Sequence, residues 1–574
     1  MTETKNPFLE PYNTPHHTPP FHLIKVEHYE PAIREGMKEQ NEEIDAIVNN
    51  AEKPNFQNTI VALERSGSLL ERVTTIFGNL LSAETNDEMQ ELAEKMMPLL
   101  AEHNNSISLN EKLFARIKAV YDRKDQLTLN GEDSMLLQKT YDGFIRSGAN
   151  LQGEAKEKYR RLNTELSVLA LRFSQNLLKE TNNYELSLTT SQLEGLPESM
   201  LESYAQTAKE KGKEGNIITL DAPSFVPFMK YCKDRTLRQQ LYMAYNTQCT
   251  HDNEYNNIDI IKQLVNIRME LVQLLGYSNY AEYVLKKRMA ETEESVYQLL
   301  NQLLEAYSPT AHQEVKEVEE LAHRLEGNDF QLMPWDWAYY SEKLKNEKFK
   351  LNEEELRPYF ELSQVKQGVF GLATRLYGIT FKENKEIPVY HPDVDAYEVF
   401  DEDGSFLAVL YTDFHPRAGK RSGAWMTSYK EQWIENGISS RPHISVTMNF
   451  SKPSAEKPAL LTFSEVNTFL HEFGHALHGQ DLRSLASRNE HRLALSRRHE
   501  GNPGRHALLP GHRRLAYGPR HRRTHAPQGH QPAQHAQDPR TQGPRSLLGR
   551  RHDLRLLGRR DGSRSPYGLL RSFG

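Results

Sequence analysis

Three residues within one turn of chain, His471, Glu472 and His475, have the types and the spacing of a metal-dependent hydrolytic site. They lie in TFSEVNTFLHEFGHALHG, residues 462–479. Four residues make about one helical turn, so two imidazoles so spaced project from one face and can grip a single ion. Zinc suits such a pair, because imidazole is a borderline ligand and zinc does no redox chemistry. The ion would polarise a scissile carbonyl and bring the pKa of a water from about 15.7 toward about 7. Glu472 stands beside the pair and is placed to take that proton and hand it to a leaving amine. Water, not a side chain, is then the nucleophile. The pattern is short and the chain has 23 histidines, so the competing reading is two solvated histidines on a helix. The remaining histidines, His478 included, read as ordinary surface or core groups.

The turn needs a helix to hold it. Thr462 can cap one, with Glu465 three places on completing a capping box. Val466, Phe469, Leu470, Phe473 and Leu477 are then the apolar face. Just upstream, residues 387–450 carry short β-prone runs: IPVYHP, AYEVFD, SFLAVLYTDF and HISVTMNF. DEDG, Asp401 to Gly404, sits between two of them as a hairpin signal. A small sheet is therefore expected beside the helix.

Earlier still, residues 1 to about 215 read as amphipathic helices, for example HYEPAIREGMKEQNEEIDAIVNNA and EKYRRLNTELSVLALRFSQNLLKET. Pro54, Pro98 and Pro197, with Gly143 and Gly153, punctuate them. Helical patterns continue from about 216 to 400. No repeat of fixed period stands out. The organisation expected is a helical N-terminal domain at 1–215, a catalytic domain at 216–480 that is incomplete, and an Arg-rich tail at 481–574.

Bulk properties agree with a helical, soluble chain. Its 574 residues are too many for one core. Charged residues make up 26% and hydrophobic ones 37%, with a mean hydropathy of -0.71. No stretch approaches the roughly 18 apolar residues of a membrane span. The opening MTETKNPFLEPYNTPHHTPPF has acids and prolines where a signal peptide has a basic start and an apolar run. Cys232 and Cys249 are the only cysteines, too few for a disulfide framework and wrongly placed for a zinc ribbon. Two ordinary reduced thiols and a cytoplasmic address are expected. The GK of RAGKRSGA lacks the glycine spacing and the Ser or Thr of a phosphate loop, and neither Arg417 nor Lys420 is given a catalytic role.

HEFGHALHG resembles the active-site helix of the thimet oligopeptidase and peptidyl-dipeptidase family of zinc metallopeptidases. PWDWAYYSEKLK (Pro334 to Lys345), RPYF (Arg357 to Phe360) and YTDFHPRAGKRSGAW (Tyr411 to Trp425) resemble segments of its bacterial peptidyl-dipeptidase branch. So do NPFLEPYNTPHHTPPFHLIKVEHYEPAI and NFQNTIVALERSG, so the likeness spans about residues 6–479. It implies a mainly α, two-lobed zincin-type fold split by a deep channel, with one zinc ion on its floor that only short peptides reach. It further implies His471 and His475 as zinc ligands and Glu472 as the catalytic glutamate. HISVTMNF would run along the cleft and offer its backbone to an extended substrate. Release of C-terminal dipeptides is the implied activity, with internal cleavage of oligopeptides as the near alternative. Within PWDWAYY, Trp335, Trp337, Tyr339 and Tyr340 read as packing residues rather than substrate contacts.

After Gly479 the likeness breaks. The family has a third, acidic ligand on a following helix and later a segment rich in glycine and tyrosine that holds substrate. Here residues 481–574 contain 20 Arg, no Lys and 6 acids, near +14, in a chain whose net charge is -7. Glu500 falls at about the right separation for the third ligand, but RRHEGNPGRH is a poor helix context; Asp481 and Glu490 are weaker substitutes. Abrupt loss of both lysine and family likeness is what a frameshift would produce, and the tail is expected to be disordered. Nucleic-acid binding through it is not expected, because the charge comes without a folded module or interleaved aromatics. The chain is then expected to hold zinc weakly and to show little or no peptidase activity, since catalytic zinc has three protein ligands; a non-catalytic relative that binds peptides or metal through the same cleft is the competing reading.

Overall fold

The computed structural model describes residues 5–350, 353–435, 438–453 and 457–480. The tail at 481–574, with Glu490 and Glu500, lies outside the described residues. The described chain is mainly helical with one five-stranded sheet, and it divides into two compact units. Residues 5–293 and 353–480 belong to one, and 294–350 to the other. Among the described residues no helix is long and apolar enough to cross a membrane.

In the larger unit the strands are β1 (Leu186–Leu188), β2 (Asn216–Ile218), β3 (Thr380–Glu383), β4 (Val394–Phe400), β5 (Phe406–Asp413), β6 (Trp425–Lys430), β7 (Trp433–Glu435), β8 (Ile438–Ser440) and β9 (His443–Thr447). β1 pairs with β2 and β7 with β8; the others form one sheet in the order β3-β4-β5-β9-β6. Only β5 and β9 run parallel in it.

β5 owes its central place to its composition. A strand buried on both faces reads as a continuous apolar run, and FLAVLY in β5 is one. Val409 and Tyr411 face a core built by helices Val26–Val48, Ser68–Ala83 and Asp87–Ser108. Ala408 and Leu410 face the other way, onto helices Leu362–Tyr377 and Phe463–Gln480. The expected hairpin joins β4 to β5: Asp401 N–H donates to Ser405 O at 2.8 Å, and Gly404 takes φ +82° in the left-handed region that glycine tolerates.

Some local signals are overridden. Pro98 lies inside the helix Asp87–Ser108 and Gly143 inside Gly131–Arg146, rather than between helices. An interior proline costs about 3 kcal/mol, which the helix offsets by burying Met89, Ala93 and Met96. IPVYHP forms no strand, although Ile387, Val389 and Tyr390 still pack into the core. In the smaller unit Tyr339 and Tyr340 are buried with Val318, Leu321, Ala322 and Leu344, and Trp337 packs against them, in keeping with a packing role.

Residues 413–421 bind the sheet to the helix Ser68–Ala83. Thr85 N–H donates to Gly419 O at 2.7 Å, and Arg421 N–H to Ser82 O at 2.9 Å. A Cβ at Gly419 would collide with Thr85 O, a backbone atom that cannot swing aside. Gly419→Ala should therefore lower stability by about 2 kcal/mol, read as a lower urea midpoint; an unchanged midpoint would show that the loop yields freely.

Candidate metal and catalytic centre

The helix Phe463–Gln480 begins as its sequence requires. Thr462 N–H donates to Glu465 Oε2 at 2.7 Å, and Glu465 N–H returns a bond to Thr462 Oγ1 at 3.2 Å. These reciprocal bonds satisfy donors that a helix start otherwise leaves open. Phe469, Phe473 and Ala476 then press onto the sheet, in a core with Leu410, Ile444, Val446 and Met448. The Phe469 ring meets Phe414 edge-on at 5.0 Å. Val466 and Leu477 pack at the margin. Leu470 corrects the expected apolar face, for it is 40% exposed and Ala476 is buried instead. At 100° per residue it lies about a quarter-turn from Phe469, beyond what the sheet covers.

His471 and His475 lie roughly opposite the phenylalanine face by the same count, about 200–240° from Phe469. Their Nε2 atoms approach to 3.2 Å, with ring planes at 82°. Two nitrogens each about 2.05 Å from one tetrahedral ion would stand about 3.3 Å apart. The separation of the pair is therefore that of two nitrogens shared by one zinc-sized ion. Among the described residues no third His, Cys, Asp or Glu completes a metal-binding group with them.

Glu472, between the histidines in sequence, is 7% exposed. Burial pushes its carboxyl up to about 7, because a desolvated carboxylate is costly. That is a base poised near neutrality.

The strand next to this helix corrects another expectation. Both edges of β9 (His443–Thr447) are used, by β5 on one side and β6 on the other. It cannot offer ladder groups to a substrate. The helix packs against β9 and β6, and β6 (Trp425–Lys430) is the sheet's outer strand there. Its β-prone WMTSYK was the available signal, hidden behind the turn residues of RSGA.

The buried charge behind this end of the sheet also went unread. Asp413, fully buried at the end of β5, accepts from Arg417 at 2.9 and 2.7 Å, from Lys420 at 2.7 Å and from Tyr390 OH at 2.8 Å. Arg417 also pairs with Glu84. Burial alone would raise the Asp413 carboxyl, but Arg417 and Lys420 outweigh it and hold it below the usual range. Burial brings the Lys420 ammonium down to about 8 against the pull of Asp413. At neutral pH both stay charged.

Peptidase family M3 matches residues 228–494. The dipeptidyl carboxypeptidase of Escherichia coli (strain K12) is 40% identical over 479 residues, which cover 83% of this chain and 70% of that protein. The chain belongs to peptidase family M3. Oligopeptidase A of the same organism is 34% identical over 479 residues, 82% of this chain and 70% of its own length. Both matches support the M3 chain as a metallopeptidase. The M3 match includes His471, Glu472 and His475 and ends before Glu500.

Proposed function

We propose that the chain is built for zinc-dependent hydrolysis of short peptides in the cytoplasm, releasing C-terminal dipeptides. The carrying observation is the 3.2 Å approach of His471 Nε2 to His475 Nε2 beside a buried glutamate, in a chain 40% identical to a dipeptidyl carboxypeptidase. The 34% identity to oligopeptidase A supports internal cleavage as a second reading. Cys232 and Cys249, free and buried, suit a reducing compartment.

When bound, zinc would supply Lewis-acid polarisation of the scissile carbonyl and a more acidic water. His471 and His475 would hold the ion through Nε2. The Glu472 carboxylate would accept a proton from the attacking water and deliver it to the leaving amine nitrogen. Neither the membrane nor nucleic acid has a place in this scheme.

Glu500 is proposed only as a stand-in for the third ligand. With two histidines as the firm donors, the chain is expected to lose zinc readily and to cleave a chromogenic peptide slowly unless zinc is added. Peptide assays with chelator, then with excess zinc, test this. Rapid turnover without added zinc would overturn the claim of a weakened site. Turnover indifferent to chelator would overturn the zinc reading itself.

A further inference from the structure

Apolar packing holds the helix Phe463–Gln480 to the sheet, but burial is non-directional and leaves its axial position weakly specified. One side chain supplies directional bonds at both surfaces. Glu465 accepts from Thr462 N–H at 2.7 Å and Thr462 Oγ1 at 3.0 Å through Oε2. Through Oε1 it accepts from Ser451 N–H at 2.7 Å and Ser451 Oγ at 3.1 Å. Ser451 ends the segment that leaves β9, and that segment is itself fastened to the exit of β5. Met448 N–H donates to Asp413 O, and Phe450 N–H to Phe414 O, each at 2.7 Å. Phe414 in turn packs against Phe469.

We infer that Glu465 is a positioning residue. Its two oxygens divide between capping its own helix and fixing that helix in register against β9, so that His471 and His475 stand where they do. A cap alone needs one oxygen. The second contact, 14 residues back in the chain, does nothing for helix formation. It resists sliding along the helix axis, where a slip of one residue is about 1.5 Å, enough to displace both imidazoles. The inference rests on the His471–His475 site proposed above, and its test separates the two.

Three variants of the full chain distinguish capping from register. Thr462→Ala weakens the cap and leaves the Ser451 contact. Glu465→Gln keeps one accepting oxygen and cannot serve both contacts. Glu465→Asp keeps the part of the cap made by its own backbone N–H to Thr462 Oγ1 but is one methylene too short to hold both carboxyl contacts, and it guards against misfolding of the glutamine variant. The readouts are zinc affinity, by competition with a chromophoric chelator, and the ring-nitrogen resonances of His471 and His475 in the metal-free chain. Glu465→Asp and Glu465→Gln should weaken zinc binding tenfold or more and shift both ring signals. Thr462→Ala should lower the melting midpoint yet keep affinity within twofold and leave the signals in place. Unmoved resonances in Glu465→Asp, or equal losses in all three variants, would overturn the inference. Failure of the unsubstituted chain to bind zinc would defeat the preceding proposal, while the ring resonances would still decide this one.

Discussion

Glu472→Gln should cut zinc-supported peptide hydrolysis by about 10²–10⁴-fold, the range that a positioned general base contributes. The amide keeps the size of the carboxyl and loses only the ability to take a proton. Zinc binding should therefore stay within twofold of the parent chain, because the substitution removes no ligand, and peptide affinity should stay equally close. His475→Ala should behave differently, losing zinc and turnover together. The comparison needs zinc in excess, with metal content measured on the same samples. Equal turnover in Glu472→Gln and the parent would remove Glu472 from the chemistry. Loss of bound zinc in Glu472→Gln would instead make it part of the metal's surroundings.

The second large effect concerns stability. Asp413→Asn should destabilise the fold by about 3–5 kcal/mol, the usual cost of removing one partner from a buried pair. Arg417 would keep its charge without its buried partner, and Lys420, already brought down to about 8 by burial against the pull of Asp413, would fall further, leaving both donors unmatched at the end of β5. Lys420→Met should cost less, since Arg417 still grips both carboxyl oxygens and Glu84 still pairs with Arg417. The pH dependence has a definite sign. The folded-state pKa of Asp413 is depressed, so its contribution is complete above the unfolded value of about 3.9 and fades as pH falls through the folded value. Urea midpoints of parent and Asp413→Asn should thus differ widely at pH 7 and converge in acid below about pH 4. A gap that persists undiminished in strong acid would assign the loss to shape rather than charge.

Several features were legible because they are settled by residues close together in the chain. Thr462 and Glu465 cap a helix within one turn of each other, as the spacing alone predicts. His471 and His475 meet for the same reason, since a helix brings i and i+4 side chains together whatever surrounds them. The Asp401–Gly404 hairpin closes over four residues. The strand β5 was legible as a β-prone run, SFLAVLYTDF, and its unbroken apolar stretch is what two covered faces demand.

Other features waited on partners far away in the chain. Whether β9 or β6 is the outer strand depends on pairings between segments separated by turns and by the β7–β8 excursion, and a strand's sequence does not name its neighbours. Leu470 and Ala476 both lie near the helix's apolar stripe; the sheet's extent alone decided which is buried. Asp413 reads as an ordinary acid until Arg417, Lys420 and Tyr390 close around it, and the further link from Arg417 to Glu84 spans 333 residues. That one helical turn presents two imidazoles and a carboxyl follows from residue order, because those contacts are local. Which face of that helix is covered, which strand borders it and which buried charges hold the sheet in place depend on the folded chain, because burial and pairing are properties of segments that meet in space.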